Sequence, residues 1–168
     1  VAGNAIIAVG QGPNGPYPSY NDMFVAKFDL AGTPISGFGT NGVAIVSVSD
    51  GANHDGANAV AIQADGSVVV AGYSTVPGRV SETTLVRLTA TGQSDTVFGS
   101  QGKTVSSLGT GHDEATSIDL LSGGSMIVGA LDQNSDGKVT LLKFTSSGVL
   151  DPSFGSAGKV ITPIYGHT

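Results

Sequence analysis

Three times in this chain a phenylalanine is followed by Gly-x-x-Gly: Phe38-Gly39-x-x-Gly42, Phe98-Gly99-x-x-Gly102 and Phe154-Gly155-x-x-Gly158. The copies stand 60 and then 56 residues apart, and a period of that size points to a repeat architecture rather than to one irregular core. A second block keeps step with the first: Phe24-Val25-Ala26-Lys27-Phe28 running to Gly32, Leu85-Val86-Arg87-Leu88 to Gly92, and Leu141-Leu142-Lys143-Phe144 to Gly148. A short unit of this kind cannot bury its apolar side chains alone, so neighbouring units must stack.

Glycine at 26 of 168 residues, many Ser and Thr, and no Cys or Trp suggest short strands joined by tight turns. No window keeps apolar residues at helical spacing without a Gly or a β-branched run breaking it, which argues against long helices. The middle copy predicts four strands, a to d: 43–48, 57–63, 67–73 and 83–89. The run Val68-Val69-Val70-Ala71 has the pattern of a strand covered on both faces. Asp65-Gly66, between two apolar runs, predicts a two-residue hairpin with positive φ at both positions. The later copy repeats the set at 103–108, 115–121, 125–131 and 139–145. Strands c and d alone precede the middle copy, at 4–9 and 23–30, and a final a follows at 159–164.

Four-stranded antiparallel units of about 40 to 60 residues are the pattern of β-propeller blades. The fold expected is all-β: about three four-stranded antiparallel repeats in a single segment, 1–168, with units at 1–38 (partial), 39–98, 99–154 and 155–168 (partial). Eleven strands leave one b strand short of three blades, and propellers close with typically four to eight blades. Self-association, or membership of a longer chain, is therefore expected.

The strings Asp151-Pro152-Ser153-Phe154-Gly155-Ser156-Ala157-Gly158-Lys159-Val160, Gln63-Ala64-Asp65-Gly66-Ser67-Val68-Val69-Val70-Ala71-Gly72 and Leu85-Val86-Arg87-Leu88 resemble the delta-60 repeat, a family of bacterial β-propeller repeats. The resemblance covers essentially the whole chain. It implies a scaffold on extracellular or cell-surface proteins of bacteria and brings no common catalytic residues. The chain departs from the pattern at Ile35, where the other copies have Asp95 and Asp151, and at Gly123-Gly124, where the middle copy has Asp65-Gly66.

A net charge of −6 with scattered basic residues disfavours nucleic acids and anionic membrane surfaces. No apolar stretch approaches the roughly 18 residues of a membrane span, so no membrane insertion is expected. Absence of Cys excludes a disulfide framework and Cys-ligated metal sites. Low charge with many small polar residues fits a secreted β-protein. Nucleophilic catalysis has no support: there is no Gly-x-Ser-x-Gly elbow and no Ser-His-acid set that spacing defends.

The recurring Phe38, Phe98 and Phe154 read as wedges between blades, where one ring buries upward of about 150 Å², with an aromatic carbohydrate platform as the alternative. Lys27, Arg87 and Lys143 recur in strand d and are expected to pair with a neighbouring blade or to line an exposed edge. All three histidines, His54, His112 and His167, fall in the a-to-b loop. They form either a polar ring on one face or solvated turns of the His-Asp type. Asp132, Asn134 and Asp136, followed by Gly137, match the opening of a calcium loop. Thr140 and Lys143 stand where a closing carboxylate belongs. Calcium is the one cofactor these motifs suggest. The variable c-to-d loops carry Tyr17, Tyr20 and Arg79, the expected ligand contacts. The function expected is a non-catalytic binding or structural module of a secreted or surface-exposed bacterial protein, with protein or glycan as partner. The alternative is a metal-dependent enzyme or calcium-binding module using the His-bearing face and the Asp132 loop.

Overall fold

The computed structural model describes residues 5–15, 20–49, 53–75, 80–109, 111–132 and 138–163. Among them eleven strands run in the order expected: β1 (Ile6–Pro13), β2 (Asn21–Phe28), β3 (Val43–Val46), β4 (Asp55–Ile62), β5 (Val68–Thr75), β6 (Ser81–Leu88), β7 (Lys103–Ser106), β8 (Asp113–Leu120), β9 (Met126–Asp132), β10 (Lys138–Phe144) and β11 (Lys159–Pro163). They form three antiparallel sheets, ordered β1-β2-β3, β4-β5-β6-β7 and β8-β9-β10-β11. In strand letters each complete sheet reads b-c-d-a. Its last strand is the first strand of the following sequence repeat, so every repeat begins in one sheet and continues in the next.

The b-to-c turn differs from expectation. Gln63 N–H donates to the Ser67 carbonyl at 2.8 Å and Gly66 N–H to the Gln63 carbonyl at 2.9 Å. Gly66 has φ 86°, whereas Asp65 is not among the residues with positive φ. This is a type I turn followed by one left-handed glycine, not the two-residue turn with both positions left-handed. Asp65 contributes its carboxylate instead, accepting the Ser67 N–H at 2.9 Å, and that bond holds its carboxyl below the usual range. The d-to-a connections repeat the same turn at 29–33, 89–93 and 145–149.

The apolar residues pack between sheets. Met23, Val25, Phe38, Ala44 and Val46 of the first sheet meet Val68, Val70, Val86 and Leu88 of the second. On the other side, Val69, Ala71, Leu85 and Phe98 meet Met126, Val128, Leu142 and Phe144 of the third. Successive β5 side chains point to opposite faces, so Val68 and Val70 serve one core and Val69 and Ala71 the other. The middle sheet is covered on both sides, which is why β5 reads as an unbroken apolar run.

Phe98 is fully buried in the second of these cores. Replacing it with alanine is expected to cost about 3 to 5 kcal/mol, the cost of deleting a packed aromatic. Equilibrium urea unfolding checks this, and a variant as stable as the parent would contradict the wedge role.

Candidate functional site

The Phe-Gly-x-x-Gly turn is the most regular element of the molecule. Gly39, Asn41 and Gly42 have φ of 55°, 52° and 90°; Gly99, Gln101 and Gly102 have 54°, 52° and 89°; Gly155, Ala157 and Gly158 have 55°, 52° and 89°. The first glycine is required twice over, by its positive φ and by space, because a Cβ on Gly39 would collide with the Val43 carbonyl. The turn also reaches across to the next sheet. Gly39 N–H donates to the Thr91 carbonyl at 2.9 Å and Gly99 N–H to the Ser147 carbonyl at 2.8 Å. The rings lie under the glycine of that neighbouring turn: a Cβ on Gly148 would stand 2.6 Å from Phe98.

The recurring cations complete the joint. Arg87 sits 4.7 Å over the Phe98 ring, donates from Nε to Asp95 at 2.8 Å, and from Nη1 to the Ser146 carbonyl of the third sheet at 2.7 Å. Lys27 lies 5.4 Å from the Phe38 centroid and donates to the Ala90 carbonyl at 3.2 Å. Ile35, in place of Asp95, leaves that first joint without an ion pair. Phe38 and Phe98 are buried, while Phe154 is half-buried. Lys143 pairs with Asp151 at 2.9 Å.

At the opposite end of the sheets strands b and d begin and strands a and c end. There Asp55 and Asp113 open strands β4 and β8, and both are fully buried. Asp55 accepts from Val48 N–H at 2.6 Å, Ser49 N–H at 3.1 Å and the Ser49 hydroxyl at 2.8 Å. Asp113 accepts from Leu108 N–H at 2.6 Å, but its Oδ1 has no hydrogen-bond partner. The reason is in the sequence: Gly109 stands where the first loop has Ser49. Burial pushes both carboxyls up from 3.8, with Asp22 adding to the effect on Asp55, and Asp132 and Glu82 adding to that on Asp113. Each aspartate directly follows a candidate histidine, His54 or His112, and only its burial marks it out.

His54 and His112 join sheets. His54 Nδ1 accepts Asn21 N–H at 3.1 Å. His112 Nδ1 accepts Ser81 N–H at 3.3 Å, with the Ser81 hydroxyl 3.1 Å away. In each pair the donor opens strand d of the preceding sheet, and the accepting nitrogen must be unprotonated. Tyr20 meets His54 edge-on, with centroids 5.4 Å apart, so one candidate from the ligand loops touches one from the histidine loops. Asp132 ends β9 directly opposite Asp113. Tyr17, Arg79, Asn134, Asp136 and His167 lie outside the described residues. Among the described residues no group of three or more His, Cys, Asp or Glu is placed to hold a metal ion.

Stacked antiparallel sheets of three and four strands, joined by a repeated turn, define a β-propeller-like domain made of partial blades. Residues 63–98, which run from the b-to-c turn of the middle copy through its Phe98, match the model of a family described as a domain of unknown function (DUF5122) β-propeller. No curated protein matches the chain.

Two expectations follow. Gly109→Ser should give Asp113 Oδ1 the hydroxyl that Ser49 gives Asp55 and stabilise the fold by about 1 kcal/mol. Gly109→Ala in the same urea titration separates the hydroxyl from the added Cβ. The second concerns Asp151, which Lys143 and Ser153 hold at about 2, below 3.8. Because its folded pKa is depressed, its contribution to stability is present above pH 3.8 and is lost as pH falls through about 2. In Lys143→Met that carboxyl should titrate nearer 3.8, as read by NMR.

Proposed function

We propose that this chain is a non-catalytic binding or structural module of the delta-60 repeat type, carried by a secreted or surface-exposed bacterial protein. The observation behind this reading is the use of its recurrent polar groups. Lys27 and Arg87 are spent on main-chain carbonyls of the adjacent sheet, and His54 and His112 accept main-chain N–H groups of another. Side chains committed to holding sheets together are not presented to a substrate. What varies between copies is the loop end, where exposed Tyr20 packs against His54. An exposed aromatic beside a polar ring offers a flat apolar surface with hydrogen-bonding groups at its edge, which suits a sugar face or a protein side chain. The fold supports only the class of activity, because function resides in sites.

Screening the chain against arrayed glycans and surface-protein extracts tests this. Tyr20→Ala should weaken any captured ligand by at least about tenfold, or 1.4 kcal/mol, with no change in melting temperature. Turnover of a generic ester, phosphoester or glycoside that disappears in Asp113→Asn would replace the reading with an enzymatic one.

A further inference from the structure

The surroundings of the two buried aspartates differ at two positions, and both differences gather negative charge at Asp113. Beside Asp55 the loop carries Ser49, whose hydroxyl donates to Oδ1 at 2.8 Å, and the residue directly across the ladder is Ser74. Beside Asp113 the loop carries Gly109, and the residue directly across is Asp132. One hydroxyl has been lost and another has become a carboxylate.

Directly opposed residues of an antiparallel pair project from the same face, so the carboxylates of Asp113 and Asp132 share one. A Cβ on Gly109 would stand 3.7 Å from Asp132 Oδ2. The space that the Ser49 side chain fills in the first loop is therefore bordered here by a second carboxylate oxygen. Asp113 Oδ1 corresponds to the atom that the Ser49 hydroxyl meets. It belongs to a side chain that is 0% exposed, and among the described residues it has no hydrogen-bond partner. Glu82, from the second sheet, adds a further like charge. Buried charges are paired or coordinate metals, and what this arrangement calls for is positive.

We propose that Asp113 and Asp132 bind a hard divalent cation, calcium or magnesium, in the space opened by Gly109. Asp113 Oδ1 and Asp132 Oδ2 are its protein ligands, and water completes the shell, as it does at sites where one or two carboxylates hold magnesium. Only one oxygen of Asp132 is used, so the other keeps whatever bond it makes. With two protein ligands the affinity falls in the weak range, about 10⁻⁴ to 10⁻³ M. The donor set differs from the loop motif of Asp132, Asn134 and Asp136, because it crosses from β9 to the start of β8.

Calorimetric melting of the chain, stripped with EDTA and dialysed into metal-free buffer, tests the assignment. Calcium or magnesium at about 10 mM should raise the melting temperature by at least about 2 °C, and sodium chloride of equal ionic strength should not. Gly109→Ser puts the hydroxyl of Ser49 into the space; it should fold at least as well without metal and lose at least about tenfold in affinity by isothermal titration. Asp132→Ser, which restores the partner found in the second sheet, should lose the response as well. Asp119→Asn, at an exposed position of β8, should keep it. No rise with either cation overturns the proposal, as when the ammonium of Lys138, which opens β10, already neutralises the pair. A rise matched by sodium chloride overturns it too, and so does an undiminished response in Gly109→Ser, which puts the cation elsewhere. If Asp132→Ser fails to fold, Gly109→Ser decides.

Discussion

A phenylalanine ring lying against the glycine of the neighbouring turn is the contact on which the rest of this structure depends. No single sheet here has a hydrophobic interior of its own. Its apolar residues are satisfied only when the next sheet lies over them, and the spacing and tilt of that sheet are set where the ring, the glycine and the main-chain bonds of the Phe-Gly turn meet. Lys27 and Arg87 of strand d sit over the same rings and reach the same neighbouring turns. Apolar burial, cation–π attraction and main-chain hydrogen bonding thus act at one place, where they reinforce each other.

The loop end is organised differently. There the sheets are tied by polar groups: imidazoles accepting main-chain N–H groups, and buried aspartates gathering the N–H groups of the a-to-b loops. Asp55 is well served and Asp113 less so, because one serine has become a glycine. A buried carboxylate with an unmatched oxygen is costly, and the raised pKa of both aspartates shows burial outweighing their hydrogen bonds. Since a raised folded pKa favours the protonated form, mild acid relieves this strain, while the ion pair at Asp151 responds in the opposite sense at lower pH.

Much of the fold was legible in the sequence, for a physical reason. Repetition turns a weak strand signal into a strong one, because the same alternation must hold in register in several copies; all eleven strands lie where the copies placed them, within a few residues. The turn at Asp65-Gly66 was misread because Asp-Gly fits two geometries, and the choice depends on Asp65 capping Ser67, a side-chain bond that dipeptide statistics do not carry. The regrouping of strands as b-c-d-a was hidden because a repeat in sequence has no natural starting point. Less of the candidate site was legible. The histidines stood out by composition, whereas the aspartates beside them became noticeable only through burial, which depends on neighbours far away in the chain.

That phase difference between sequence repeat and sheet has an evolutionary consequence. When a stretch from one strand a to the next is duplicated, its first strand completes the sheet before it and its remaining strands start the sheet after it. The new chain gains a whole layer without leaving a bare edge in its interior. An array built this way lengthens by simple copying, with no need to rearrange strand pairing, and its loops are then free to diverge one layer at a time.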